Sequence, residues 1–145
     1  MALRDDGENG SPEFEVAGVQ ALQLSVLHIS FDEHSQLAIC TVQGDYEWGL
    51  AVGTPYAELE PGICGIFCSR TLPELPLGMI EECDVRLSDQ LDVDRVHLEF
   101  ESGRELIMIA GESYENAEGQ LYFGRFDESV LVFQSVADSE AVLWK

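Results

Sequence analysis

Residues 93–111 read VDRVHLEFESGRELIMIAG, and more of the fold follows from them than from any other stretch. Val96, Leu98 and Phe100 alternate with His97, Glu99 and Glu101, the period of a strand that buries one face. Ser102-Gly103 supplies turn chemistry, so Val93–Glu101 and Arg104–Gly111 are expected to pair as an antiparallel hairpin. A two-residue turn would set Val96 against Ile109 and Leu98 against Ile107. It would also face Arg104 with Glu101, a cross-strand charge pair worth about 0.2–1 kcal/mol. Leu106–Ala110 is apolar at every position, which predicts a central strand covered on both faces. His97 falls beside Met108 on the less apolar face of this hairpin.

Working outward, Leu37–Val42 and Tyr46–Val52 flank Gln43-Gly44-Asp45 and read as a second hairpin with a Gly-Asp turn. That register faces Thr41 with Trp48, Ile39 with Leu50 and Val42 with Glu47. Upstream, Ala21–Phe31 alternates but changes phase: Leu22, Leu24 and Val26 lie on even positions, Leu27, Ile29 and Phe31 on odd ones. A β-bulge near Val26–Leu27 reconciles the halves, since one extra residue flips every later side chain; a helix is the competing reading. Thr54–Gly78 holds every proline except Pro12 and is where regular structure is least expected. Within it Ile63–Cys68 reads as a short buried strand or one helical turn, and Leu72–Leu77 as a connector. Leu121–Phe123 and Val130–Phe133 read as two short strands, and Ala141–Trp144 as another strand or the end of a short helix. The expected fold is α+β: a mainly antiparallel β-sheet built from hairpins, with one or two short helices.

A chain of 145 residues needs one core, and no internal boundary separates pieces able to close cores of their own. Residues 1–18 read as a polar N-terminal tail and 19–145 as one globular domain. Gly10–Phe14, GSPEF, resembles a linker left by cloning, so the residues before it are not assumed native. The acidic start lacks the cationic and apolar regions of a signal peptide, and no apolar run is long enough to span a bilayer, so a cytoplasmic location and no membrane contact are expected.

Charge decides which partners are plausible. Twenty-eight Asp and Glu face seven Lys and Arg, a formal net charge of −21 in a chain that is 46% hydrophobic. A magnitude of roughly 2 to 8 suffices for the solubility of a small domain. The excess repels nucleic acid and anionic membranes and draws basic proteins by fast, salt-dependent association. Plain solubility or a halophilic habit is the alternative use of such acidity.

Catalytic signatures are absent from the sequence: there is no Gly-x-Ser-x-Gly elbow, P-loop or Gly-x-Gly-x-x-Gly. His28, His34 and His97 are dispersed, and a lone strand histidine is ordinarily structural. Cys40, Cys64, Cys68 and Cys83 read as free buried thiols, because no second tight Cys or His pair completes a zinc site. Asp89, Asp92, Asp94, Glu99 and Glu101 form the densest acidic stretch. It fails the EF-hand pattern and reads more simply as a solvated strand face. No catalytic residue, metal or cofactor is expected. Acids adjoin aromatics at Asp45-Tyr46-Glu47-Trp48 and at Glu112-Ser113-Tyr114-Glu115, and Asp127-Glu128 precede the last apolar strand. Tyr and Trp give rigid contact area, and neighbouring carboxylates pair with Lys or Arg of a partner. The candidate partner-binding residues are therefore Asp45, Tyr46, Glu47, Trp48, Glu112, Tyr114, Glu115, Asp127 and Glu128. The alternative role for Tyr46 and Trp48 is filling the core.

The segment Val96–Phe133, with Ser-Gly at a hairpin turn, an acidic-aromatic element and Asp-Glu before a final apolar strand, resembles small bacterial immunity proteins of contact-delivered and polymorphic toxin systems. It covers about a quarter of the chain. The resemblance implies a cytoplasmic antidote that occludes a cognate toxin, often one with a basic nucleic-acid-binding site. Alternatives are an acidic nucleic-acid mimic that inhibits a nuclease, and a small carboxylate-dependent hydrolase. For the hydrolase, His28, His97 and acids would have to converge on one pocket.

Overall fold

The computed structural model describes residues 2–5, 16, 18–31, 35–54, 62–64 and 67–145. From the N-terminus the strands are β1 (Ala2–Asp5), β2 (Ala21–Leu24), β3 (Val26–Ser30), β4 (Gln36–Gln43), β5 (Trp48–Gly53), β6 (Gly62–Cys64) and β7 (Phe67–Arg70). β8 (Ile80–Leu87), β9 (Val93–Phe100), β10 (Glu105–Glu115), β11 (Leu121–Phe133) and one short helix, α1 (Val136–Ala141), follow. Neighbours pair antiparallel in two sheets of order β5-β4-β3-β1-β7-β6 and β2-β11-β10-β9-β8. The expected mainly antiparallel α+β fold is borne out, with its helical part among the described residues reduced to α1.

The run Leu106–Ala110 explains the layering. Leu106, Met108 and Ala110 on β10 join Leu22, Leu24, Val96, Leu98, Val130 and Val132 in a core shared with Leu27, Ile39 and Leu50 of the first sheet. Ile107 and Ile109 point the other way, into a second cluster with Phe123, Leu131 and Phe133, capped by Val136, Val142 and Trp144 from the C-terminal segment. β10 is thus covered on both faces, as its composition predicts, and Ile107 and Met108 are both fully buried. Truncating Met108 to Ala in such a site costs about 2–5 kcal/mol.

The β9–β10 register differs from the expected one by one residue. Leu98 pairs with Leu106 and Val96 with Met108, and His97 lies opposite Ile107. Three residues, Glu101-Ser102-Gly103, close the loop, with Gly103 in the left-handed region at φ 73° and its N–H donating to Phe100 O at 2.7 Å. The third loop residue supplies the twist that a two-residue turn would have supplied, and the slip sends Ile107 and Ile109 to the outer face. Arg104 does not face Glu101; its Nη2 donates to Glu74 O at 2.7 Å and Gln134 Oε1 at 3.2 Å.

The β4–β5 hairpin is corrected too, but by two residues: Thr41 pairs with Leu50, Ile39 with Val52 and Gln43 with Trp48. Gly44 is not in the positive-φ region that a tight two-residue hairpin demands. The turn is instead a four-residue loop closed by Gly44 N–H to Glu47 O at 2.8 Å. An even shift preserves the faces, and Ile39 and Leu50 still reach the core.

Phase change in Ala21–Phe31 marks a strand that leaves one sheet for the other, not a bulge or a helix. β2 pairs with β11, the chain bends at Ser25, and β3 pairs with β4. Leu22, Leu24 and Leu27 all reach one core because the two sheets face each other across it. Leu121–Phe123 and Val130–Phe133 are the two ends of the single strand β11. Its pairing jumps from Ala110↔Val130 to Gly111↔Arg125, which leaves Phe126–Ser129 bulged out with Phe126 at φ 59°. Ile63–Cys68 spans a short β6–β7 pairing instead of one strand or a helical turn. β1 pairs with β3 and β7, so Ala2–Asp5, read as part of a tail, belong to the first sheet. β8, which the sequence reading did not single out, is an edge strand on which Glu81, Glu82 and Asp84 are exposed, a charge pattern that resists edge-to-edge pairing.

Candidate partner-binding surface

Three of the expected contact segments lie at one end of the sandwich. The first is the β4–β5 loop. Tyr46 is 85% exposed there, which excludes the core-filling role for it, and Asp45 is exposed beside it. Glu47 and Trp48 are half-buried, and Glu47 Oε1 is buried without a hydrogen-bond partner among the described residues. The loop leans on the β8–β9 turn: a Cβ at Gly49 would lie 2.8 Å from Asp92 Cβ, and one at Gly44 would lie 3.0 Å from Asp92 Oδ2. Asp92 therefore joins this acidic end, a placement that its reading as part of a solvated strand face missed. Gly44 and Gly49, whose missing side chains leave room for Asp92, were the available signal.

The second segment is the β11 bulge. Thr41 Oγ1 on β4 donates to Glu128 O, tying the bulge to the first sheet. Asp127 Oδ1 accepts from Glu128 N at 2.9 Å, and Asp127 Oδ2 accepts from the Tyr114 hydroxyl. This hydrogen bond first, then burial and the charges of Asp127 and Glu112, hold the Tyr114 phenol well above its ordinary pKa. The third segment is the two-stranded ribbon formed by Gly111–Glu115 and Leu121–Arg125, which pair with each other and, at Phe123, with Trp144 of the C-terminal segment. On it Tyr114 stacks on Tyr122 with centroids 5.4 Å apart, and Lys145 Nζ sits 4.0 Å above the Tyr122 ring.

The expected residues differ in what they have left to offer. Asp45, Tyr46, Glu115 and Glu128 present exposed side chains. Glu112 accepts from Gln23 Nε2 at 3.1 Å, and Ser113 N donates to Gln23 Oε1 at 3.0 Å. Gln23 is only 4% exposed, so Glu112 helps fasten the ribbon to β2. Tyr114 and Asp127 are likewise spent on each other. The surface is thus a scaffolded one: some acids hold the loops and others face solvent.

Histidines and thiols lie elsewhere. His28 on β3 lines an apolar cleft of about 610 Å³ at the opposite end, with Leu27, Phe31, Leu72, Pro76 and Phe100 among its walls. Burial, foremost, lowers its pKa. His97 is on the outer face of the second sheet, with Nε2 3.2 Å from Glu105 Oε1 and 4.0 Å from Glu99 Oε1. Glu105 Oε2 accepts from Val136 N at 3.1 Å. The donors of His97, Glu99 and Glu105 lie within 4.8 Å of one another, the one grouping among the described residues with the spacing to hold a cation. His28 and His97 do not share a pocket. Cys40 is a half-buried free thiol, but Cys83, expected to be buried, is exposed on the edge strand β8. His34 and the side chains of Cys64 and Cys68 fall outside the described residues.

Compared with known proteins, the chain matches no family model, no curated protein and no solved structure. Among the described residues no helix is long and apolar enough to cross a membrane.

Proposed function

We propose that the acidic-aromatic end docks on a basic surface of a protein partner, and that the partner is a cognate bacterial toxin whose active or substrate-binding surface the chain covers. The observation that carries this reading is the convergence of the β4–β5 loop, the β11 bulge and the ribbon, with Tyr46 left 85% exposed among carboxylates. An exposed aromatic ringed by acids suits a Lys- or Arg-lined groove: the ring supplies buried area and the acids supply steering and charge-assisted hydrogen bonds. A net charge of −21 speeds encounter with such a groove and disfavours direct contact with nucleic acid. Neutralisation is stoichiometric in this reading and needs no catalysis or cofactor. It implies a cytoplasmic site of action, where a delivered toxin would do its damage.

The test is to co-express the chain with the product of the toxin-like gene beside its own, and to titrate the two purified proteins. Protection of cells together with a 1:1 complex is the expected result. Failure to protect sinks the proposal. Inhibition of a nuclease that is not encoded nearby would replace it with the nucleic-acid-mimic reading.

A further inference from the structure

Although acids outnumber bases fourfold, three of the seven basic residues meet on the outer face of the second sheet. Arg86 and Arg95 are direct cross-strand partners, a like-charge arrangement that is unfavourable unless an anion lies between them. Asp94 partly meets that need. The β8–β9 register skips it, between Arg86↔Arg95 and Leu87↔Val93, and its side chain is 9% exposed. Both of its oxygens are taken by Arg86, through Nε and Nη2 at 2.8 Å each. Arg125 reaches the same carboxylate only at 3.5 Å, with its guanidinium 4.3 Å above the Trp144 ring. Arg95 has a 3.8 Å contact to the largely exposed Asp84, and its Nε is buried without a hydrogen-bond partner among the described residues.

The cluster therefore holds more positive charge than Asp94 cancels. Burial foremost, then the charge of Arg86, lowers the Arg125 pKa against the opposing effect of Asp94. The three side chains are 43%, 22% and 30% exposed for Arg86, Arg95 and Arg125, although the Arg95 Nε itself is buried. The acidic field of the rest of the molecule does not cancel the cluster, because at physiological ionic strength charges beyond about 8 Å are largely screened.

We infer that Arg95 and Arg125, flanking the Arg86–Asp94 pair, bind an oxyanion, the chemistry shared by a phosphate group and a carboxylate. A guanidinium presents two parallel N–H groups matched to two oxygens of such a group, and Arg95 commits its Nη2 only to the 3.8 Å contact with Asp84. The site borders the acidic end, sharing Arg125 with the ribbon, and serves a ligand of the opposite sign.

The test follows the Arg95 Nε–H resonance while the full chain is titrated with inorganic phosphate or with acetate at constant ionic strength. A saturable shift in the millimolar range is expected. Preference for phosphate assigns a phosphorylated or free phosphate ligand, and preference for acetate assigns a carboxylate. Arg95→Gln weakens the binding about tenfold or more, and Arg95→Lys, which keeps the charge but loses the fork, recovers only part of it. Asp84→Asn removes the exposed competitor for Arg95 and tightens binding several-fold, a gain that a folding defect cannot imitate. A shift that does not saturate, or saturable binding unchanged in both Arg95→Gln and Asp84→Asn, overturns the inference and leaves the cluster a fastening between β8, β9 and the C-terminus.

Discussion

The two ends of the sandwich are built from the same kinds of loop and differ in what they leave exposed. At the β4–β5 end, polar cross-links such as Tyr114–Asp127 and Thr41–Glu128 fix the backbone, and Tyr46 and the remaining acids face water. At the β9–β10 end, Arg104 pins the 71–79 connector through Glu74 O, and exposed Phe31 and Leu77 line a cleft of about 610 Å³, with exposed Met79 between the lining residues Gly78 and Ile80. The contrast lies in what the exposed acids rest on: at the first end Glu112 and Asp127 hold the ribbon and the bulge beside them.

Neutralising the first end should have the largest effect. Replacing Asp45, Glu47, Asp127 and Glu128 together by Asn or Gln is expected to weaken toxin binding by about a hundredfold or more in calorimetry, with slower association. Changing Leu77 and Met79 to Ser at the other end should leave binding within about twofold; the reverse outcome would move the interface to the cleft. Tyr46→Ala is expected to cost about 2 kcal/mol of binding and almost nothing in urea stability, because the ring buries little surface in the free protein. Gly49→Ala pushes a Cβ against Asp92 and should lower stability by about 1–3 kcal/mol, loosening the β4–β5 loop from the β8–β9 turn.

The smallest effect is spectroscopic. The Tyr114 phenol is protonated further up the pH scale in the folded chain than its ordinary value of about 10, so the stabilisation it brings is present below that pH and is lost as pH rises through the raised folded value. Asp127→Asn should return Tyr114 toward the ordinary range in a phenolate absorbance titration. An unchanged titration would show that Asp127 does not anchor the ribbon.

Much of this was legible in the residues. Period-two alternation identified β9, and the uninterrupted apolar run Leu106–Ala110 identified a strand buried on both sides. What failed was local. Ser102-Gly103 announces a turn, but whether the loop has two or three residues depends on which register fills the core, and that is settled by the facing sheet. The phase change at Val26–Leu27 was visible, yet alternation cannot distinguish a bulge from a strand that changes sheets. β8 escaped although Cys83, Val85 and Leu87 alternate with Asp84 and Arg86, because Ile80 is out of phase with them across the register shift between Ile80 and Glu82. The acid-aromatic pairs were legible as candidates. That Glu112 would be consumed by Gln23, and that Arg86, Arg95 and Arg125 would meet at Asp94, depended on contacts between residues as many as 89 positions apart.

The central claim is that the acidic-aromatic end is the docking face. Amide chemical shifts of the labelled chain, recorded as the neighbouring toxin is added, test it most directly. The account predicts perturbations concentrated at 44–48, 112–115 and 126–129, with 71–79 unchanged. Perturbations centred on 71–79 and Phe31, with the acidic loops unmoved, would contradict it.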